Sequence, residues 1–205
     1  IYGLIAVGLT LVYGLLRILH VAHAGLFTLG GYICVIVTNQ TSSFLLAVLT
    51  SMILVGLAGM IIYRICYQPI LDQPPFVPLI ASIGLFIAME ELFRIFFGAY
   101  GLSFTELPLQ EPLALMQINL KQAEWITIAS SVGFVAMLAF LANRTKLGLA
   151  WKATVTDPEI ASSFGVNIIQ VRYLNFFIGS SLAAVSGCMM AVSYTHLTLP
   201  TTSSV

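Results

Sequence analysis

Long apolar runs alternate with short polar connections along most of this chain. The runs lie at 1–16, 21–37, 44–65, 76–97 and 125–142, and a last one starts at Tyr173. Each approaches the ~20 residues that cross the hydrocarbon of a bilayer. Backbone groups in such segments are satisfied in lipid when the segments are helical. The pattern therefore predicts an all-α, polytopic transmembrane helical bundle with about six spans. The first run is short for a span and the chain opens on Ile1 rather than Met, so a span truncated at its start is expected. Turn-like stretches at Asn39–Ser43 and Cys66–Pro75 separate the second, third and fourth runs. A longer polar connection, Gly98–Lys121, separates the fourth from the fifth.

Composition agrees with that pattern. Of 205 residues, 59% are hydrophobic and 8% charged, against about 25% charged in a soluble domain. So few charges cannot clothe a water-facing surface. Their distribution sets an orientation. Arg17, Arg64, Arg144, Lys146, Lys152 and Arg172 fall on one set of connections, whereas Lys121 shares the alternate side with Glu106, Glu111 and Glu124. The positive-inside rule places the first set in the cytoplasm. Cys34, Cys66 and Cys188 are scattered through apolar runs, with neither a disulfide framework nor a metal-ligand spacing.

One polar, basic island interrupts the apolar pattern, from Asn143 to Arg172. Within it Asp157 is placed to cap a helix. Pro158 suits the first helical position, and Glu159 complements the positive end of the helix dipole. Gly165 can end the helix in the left-handed conformation. About two turns result, with Ile160, Ala161 and Phe164 expected on one apolar face. Such a helix either rests on the bilayer surface or docks into a cytoplasmic partner.

Other candidate groups lie inside the apolar runs. His20 and His23 are three residues apart and share a face if their segment is helical. Helix-capping or interhelical hydrogen bonding, a pore lining and a metal pair are the three readings; two histidines without a third ligand argue against metal. Glu90, Glu91 and Arg94 form a second cluster, in which Arg94 can pair with either carboxylate. It belongs either to a translocation pathway or to the outer membrane interface. In the last run Gly179, Ala183 and Gly187 recur every four residues, a stripe that lets another helix approach closely. The sequence has no Gly-Lys dipeptide and hence no phosphate-cradling P-loop. No basic patch is large enough for nucleic acid.

The segment E-I-A-S-S-F-G, from Glu159 to Gly165, resembles the E-A-A-x-x-x-G coupling motif of ABC-importer permeases. It matches at Glu159, Ala161 and Gly165. The stretch Y-G-L-I-A-V-G-L-T-L-V-Y-G-L-L-R-I-L-H-V-A-H-A-G from Tyr2, then R-I-C-Y-Q-P-I and L-I-A-S-I-G-L-F-I, resembles the branched-chain amino acid (LivH-type) permease family in order and spacing. Where that family usually reads N-F-A-H-G-E, this chain reads His20-Val21-Ala22-His23-Ala24-Gly25, retaining Ala22 and His23 and losing the acid. The resemblance covers residues 1–191. It implies an inner-membrane permease subunit of an ATP-driven importer for branched-chain or related amino acids. Its partners would be cytoplasmic ABC ATPase subunits that bind the ATP, a second permease subunit and a periplasmic substrate-binding protein. No cofactor would sit in this chain. Urea or short amides are alternative substrates. An ion- or proton-coupled secondary transporter is the rival mechanism, with Glu90, Glu91 and the histidines as relays; a non-transporting scaffold is a third reading.

The last residues differ in character. V-S-Y-T-H-L-T-L-P-T, from Val192 to Thr201, resembles the translated sequence of a transposon sequencing adapter. Native sequence is accordingly expected to stop near Ala191, with 192–205 an artefact, and His196 is not a candidate ligand.

Overall fold

The computed structural model describes residues 1–16, 18–98, 101–105, 108–109, 112–115 and 118–194. Eight α-helices follow in order: α1 Tyr2–Leu16, α2 His23–Thr41, α3 Phe44–Ile62, α4 Phe76–Phe97, α5 Gln122–Arg144, α6 Lys146–Thr156, α7 Pro158–Ser163 and α8 Ile168–Tyr194. The helix of α3 continues through a π-helical turn, Tyr63–Tyr67, into a 3-10 turn, Gln68–Ile70. Among the described residues four segments are long and apolar enough to cross a membrane: Phe44–Ile70, Phe76–Phe97, Gln122–Arg144 and Ile168–Ser193. α1 is a shorter apolar helix. α2, which carries His23, Asn39 and Gln40 near its ends, is not among the four. Helices thus stand at all six apolar runs, and four of them are long and apolar enough to cross a membrane.

α8 is the centre of the bundle because small residues line several of its faces. A Cβ on Gly179 would lie 3.1 Å from the Gly8 carbonyl oxygen and 2.9 Å from Val12, so α1 lies directly against it. Ala183 is fully buried, and beside it Ala184 touches Gly30 of α2. Gly187 abuts Phe27 and Gly31 of the same helix. On another face Ser180 packs on Gly59, and Phe177 and Ser181 on Gly56, both in α3. Close approach of this kind, rather than hydrophobic exclusion, drives helix association in lipid. Hydrogen bonds pin the same contacts. Asn175 donates to the Leu11 carbonyl at 2.9 Å, Ser181 to that of Met52 at 2.9 Å, and Ser51 to that of Gly30 at 3.3 Å.

The boundaries depart from the apolar pattern in several places. α2 runs on through Asn39–Thr41, expected as a turn. There the Asn39 amide donates to the Ser103 carbonyl and accepts from the Thr105 N–H, which satisfies it at the helix end. Within Gly98–Lys121, Pro112–Leu115 and Ile118–Lys121 pair as two short antiparallel strands, β1 and β2, with Pro112 opposite Lys121. The island holds α6 as well as the expected α7, and α8 begins at Ile168 rather than Tyr173. α8 also passes Ala191, the expected native limit, to Tyr194; residues 195–205, His196 among them, lie outside those described, as do Arg17, Glu106 and Glu111.

Candidate functional site: the basic corner and the buried histidines

The island folds because each of its helices is capped by its own side chains. Thr145 accepts from the Gly148 N–H at 3.1 Å and starts α6. Gly148 lies against the backbone of Leu141 and Ala142, so α6 doubles back sharply on the end of α5. Asp157 ends α6 with its N–H and starts α7 with its carboxylate, which accepts from the Ile160 N–H at 3.0 Å. A cap of this type is worth about 1 kcal/mol. At the far end Gly165 adopts φ +83°. Its N–H donates to the Ser162 carbonyl at 2.9 Å, and the Val166 N–H to that of Ala161 at 3.1 Å. These are the paired bonds of a Schellman terminus, which requires the left-handed residue. α7 is therefore fixed in length by its sequence.

The expected apolar face of α7 needs correction. Ile160 is 57% exposed and Phe164 84%, but Ala161 is 3% exposed. One residue along an α-helix is a turn of about 100°, so Ala161 faces inward while Ile160 and Phe164, four apart, share the outer side. Glu159 is exposed as well. Beneath α7 a cavity of about 380 Å³ is lined by Leu15 and Leu16 of α1, Thr154 of α6, Asp157, Glu159 and Arg172 of α8. α7 thus packs on α6 and α8, and the end of α1 faces it across this cavity.

The histidines form a second centre. His20 precedes α2 in irregular backbone and His23 is the first residue of that helix, so they do not share a helix face as the three-residue spacing suggested. Their rings nevertheless meet edge-on, with centroids 5.8 Å apart. Both are buried, at 1% and 3% exposed. His20 Nδ1 pairs with Tyr67 Oη at 2.6 Å, and Phe176 of α8 lies edge-on to the same ring. Nearby, the Ala22 N–H donates to Ser82 Oγ of α4 at 3.1 Å. Tyr67 reaches this point from the π-helical turn; a wide turn of that kind often marks a functional position. Four elements meet here. Tyr67→Phe should leave His20 Nδ1 buried without its partner, a loss of ~1–3 kcal/mol. The detergent-purified protein should unfold at a lower temperature, while Tyr13→Phe on the exposed side of α1 leaves the midpoint unchanged.

Glu90, Glu91 and Arg94 are exposed on α4, and Arg94 pairs with Glu91. Their neighbour Met89 is the residue that turns inward, against Gly25. The structure thus gathers the histidines inside the bundle and sets this charged cluster on its outer side. Among the described residues no group of three or more His, Cys, Asp or Glu is placed to hold a metal ion. Sequence reasoning missed Tyr67 as the partner of His20, because nothing local links residues 47 positions apart. It also missed Thr145 as a cap, although a Thr before the Leu147–Trp151 apolar spacing is a recognisable helix start.

Residues 1–204 match the family described as branched-chain amino acid transport system, permease component. The chain is similar to the high-affinity branched-chain amino acid transport system permease protein LivH of Salmonella typhimurium, 27% identical over 94% of this chain and 67% of the relative. LivH of Escherichia coli K12 is 26% identical over the same shares. BraD of Pseudomonas aeruginosa, also a high-affinity branched-chain amino acid permease protein, is 27% identical, again over 94% and 67%. No solved structure matches significantly. With long apolar helices packed round α8 and a family match along nearly its whole length, the chain belongs to the branched-chain amino acid transport permeases, multi-pass proteins of the inner membrane.

Proposed function

We propose that this chain is the non-catalytic membrane subunit of an ATP-driven importer and forms part of the pathway for branched-chain or related amino acids. The observation that carries the reading is α7. It is a helix capped at both ends, presenting Ile160 and Phe164 outward, burying Ala161 and packed on α6 and α8, with the end of α1 across the adjoining cavity. Asp157, Glu159, Ile160, Ala161, Phe164 and Gly165 act together as the coupling element: Ile160 and Phe164 enter a cleft of a cytoplasmic ATPase subunit, Glu159 flanks them, and Asp157, Ala161 and Gly165 hold the helix in place. ATP binds and is hydrolysed on that subunit, and no cofactor resides in this chain. A second permease subunit completes the pathway, and a periplasmic binding protein delivers the substrate. Its relatives' names support the substrate class. ATP drives the cycle only through the difference in its affinity for the inward- and outward-facing states.

Uptake of labelled leucine into proteoliposomes holding the chain with co-encoded ATPase, second permease and binding protein tests this. Uptake should require internal ATP and persist when an uncoupler removes the proton gradient. Uptake that continues without the ATPase and stops with the gradient would establish proton coupling through His20, His23, Glu90 and Glu91 instead.

A further inference from the structure

At the basic end of the bundle an apolar slot and a rim of cations coincide. A cavity of about 590 Å³ lies between α1, α5, α6 and α8, with Leu138, Leu141, Leu147, Trp151, Leu174 and Ile178 among its walls. That volume is within the ~300–1,000 Å³ of ligand-binding pockets. Three cations stand within two residues of its walls: Arg144 follows Ala142, Lys146 precedes Leu147, and Lys152 follows Trp151. Lys152 Nζ donates to Asn143 Oδ1 at 2.7 Å, which brings its ammonium back to the end of α5, where Arg144 is the next residue in the chain. All three are exposed, and among the described residues the one ion pair is Glu91–Arg94. Their charge is therefore uncompensated by carboxylates of this corner. α6 adds exposed Leu147 and Leu149 beside these cations, the composition of a helix lying in a membrane interface.

We infer that the α5–α6 corner is a binding site for one anionic phospholipid, its acyl chain in the slot and its phosphate on Arg144, Lys146 and Lys152. Charge selects this occupant. A neutral tail would explain the apolar walls but not three cations around their edge, and juxtamembrane cations attract anionic headgroups by about fivefold each. The site lies on the element leading into α7, and Gly165 and Val166, just past the end of α7, also line the slot. A bound lipid would thus fix the corner from which α7 projects.

Trp151 is one of two tryptophans and lies in the slot wall, so it reports occupancy directly. The full chain carrying Trp125→Phe is placed in phosphatidylcholine nanodiscs containing a minor fraction of lipid with brominated tails. Brominated phosphatidylglycerol should quench Trp151 more strongly than brominated phosphatidylcholine at the same mole fraction. Each of Arg144→Gln, Lys146→Gln and Lys152→Gln should lower the preference by about fivefold, with the far-ultraviolet circular dichroism unchanged. Equal quenching by the two headgroups overturns the inference. So does quenching by neither lipid, which would mean that protein fills the slot, and so does a headgroup preference that survives the triple variant.

Discussion

Gly187→Val is expected to leave almost no folded protein in the membrane. A Cβ at this position would overlap the Phe27 carbonyl oxygen and lie 2.9 Å from the Gly31 N–H nitrogen. Both are backbone atoms of α2, held in the helix ladder, so neither can move aside as a flexible side chain would. Relief requires α2 and α8 to separate. That would also draw Ala184 away from Gly30 and open a core that includes Leu26, Val55 and Ala183. Overpacking a core commonly costs ~1–3 kcal/mol even where side chains can adjust, and here they cannot. The matched control is Gly133→Val on α5, where nothing lies within 4 Å of an added Cβ. Fluorescence-detected size exclusion of tagged protein separates the outcomes: Gly133→Val should elute as a single peak at the parent level, and Gly187→Val should be lost or aggregated. A monodisperse Gly187→Val protein would mean that α2 and α8 are not packed as described.

Phe164→Asp should do the opposite, sparing the fold and abolishing transport. The side chain is 84% exposed, so its loss should change stability by no more than ~0.5 kcal/mol. In the proposed function it anchors α7 in an ATPase cleft, and loss of a central interface anchor costs ~2 kcal/mol or more. Uptake should therefore fall by roughly thirtyfold or more, with membrane abundance unchanged and less ATPase subunit retained on affinity purification. Ala161→Asp provides the contrast. It puts a carboxylate in the buried side of α7, so abundance and uptake should fall together. Parent-level uptake by Phe164→Asp would remove α7 from the coupling route.

The helices at the six apolar runs were legible because lipid leaves an apolar run few conformations to choose from, although length and apolarity single out only four of them as spans. The ends of α7 were legible for another reason: Asp157, Pro158 and Gly165 each act on backbone within a few residues, so their effect needs no knowledge of the fold. α6 was harder to see, since its Thr145 cap lies directly after Arg144, the last residue of α5, and no proline or positive-φ glycine marks the break. The paired strands at 112–121 are too short for a periodicity to be read. Packing partners were the least visible. Gly179, Ala183 and Gly187 announce a close approach, but only the structure shows which helices approach: α1 at Gly8 and α2 at Gly31, with Ser180 adding α3 at Gly59. The histidine spacing misled because it presumed a helix that begins only at His23.

The central place of α8 has a consequence for biosynthesis. Ribosomes deliver α1, α2 and α3 well before the helix they all pack against; Asn175 and Leu11, joined by a hydrogen bond, are 164 residues apart in the chain. Through that interval the glycine faces at Gly8, Gly30 and Gly59 have no α8 to close on, and only α2 and α3, joined by the Ser51–Gly30 hydrogen bond, have each other as partners. Contacts of such long sequence separation form slowly. Nascent chains therefore pass through a period in which α1 and the α2–α3 pair lie in the bilayer without their common partner, and the arrival of α8 ends it.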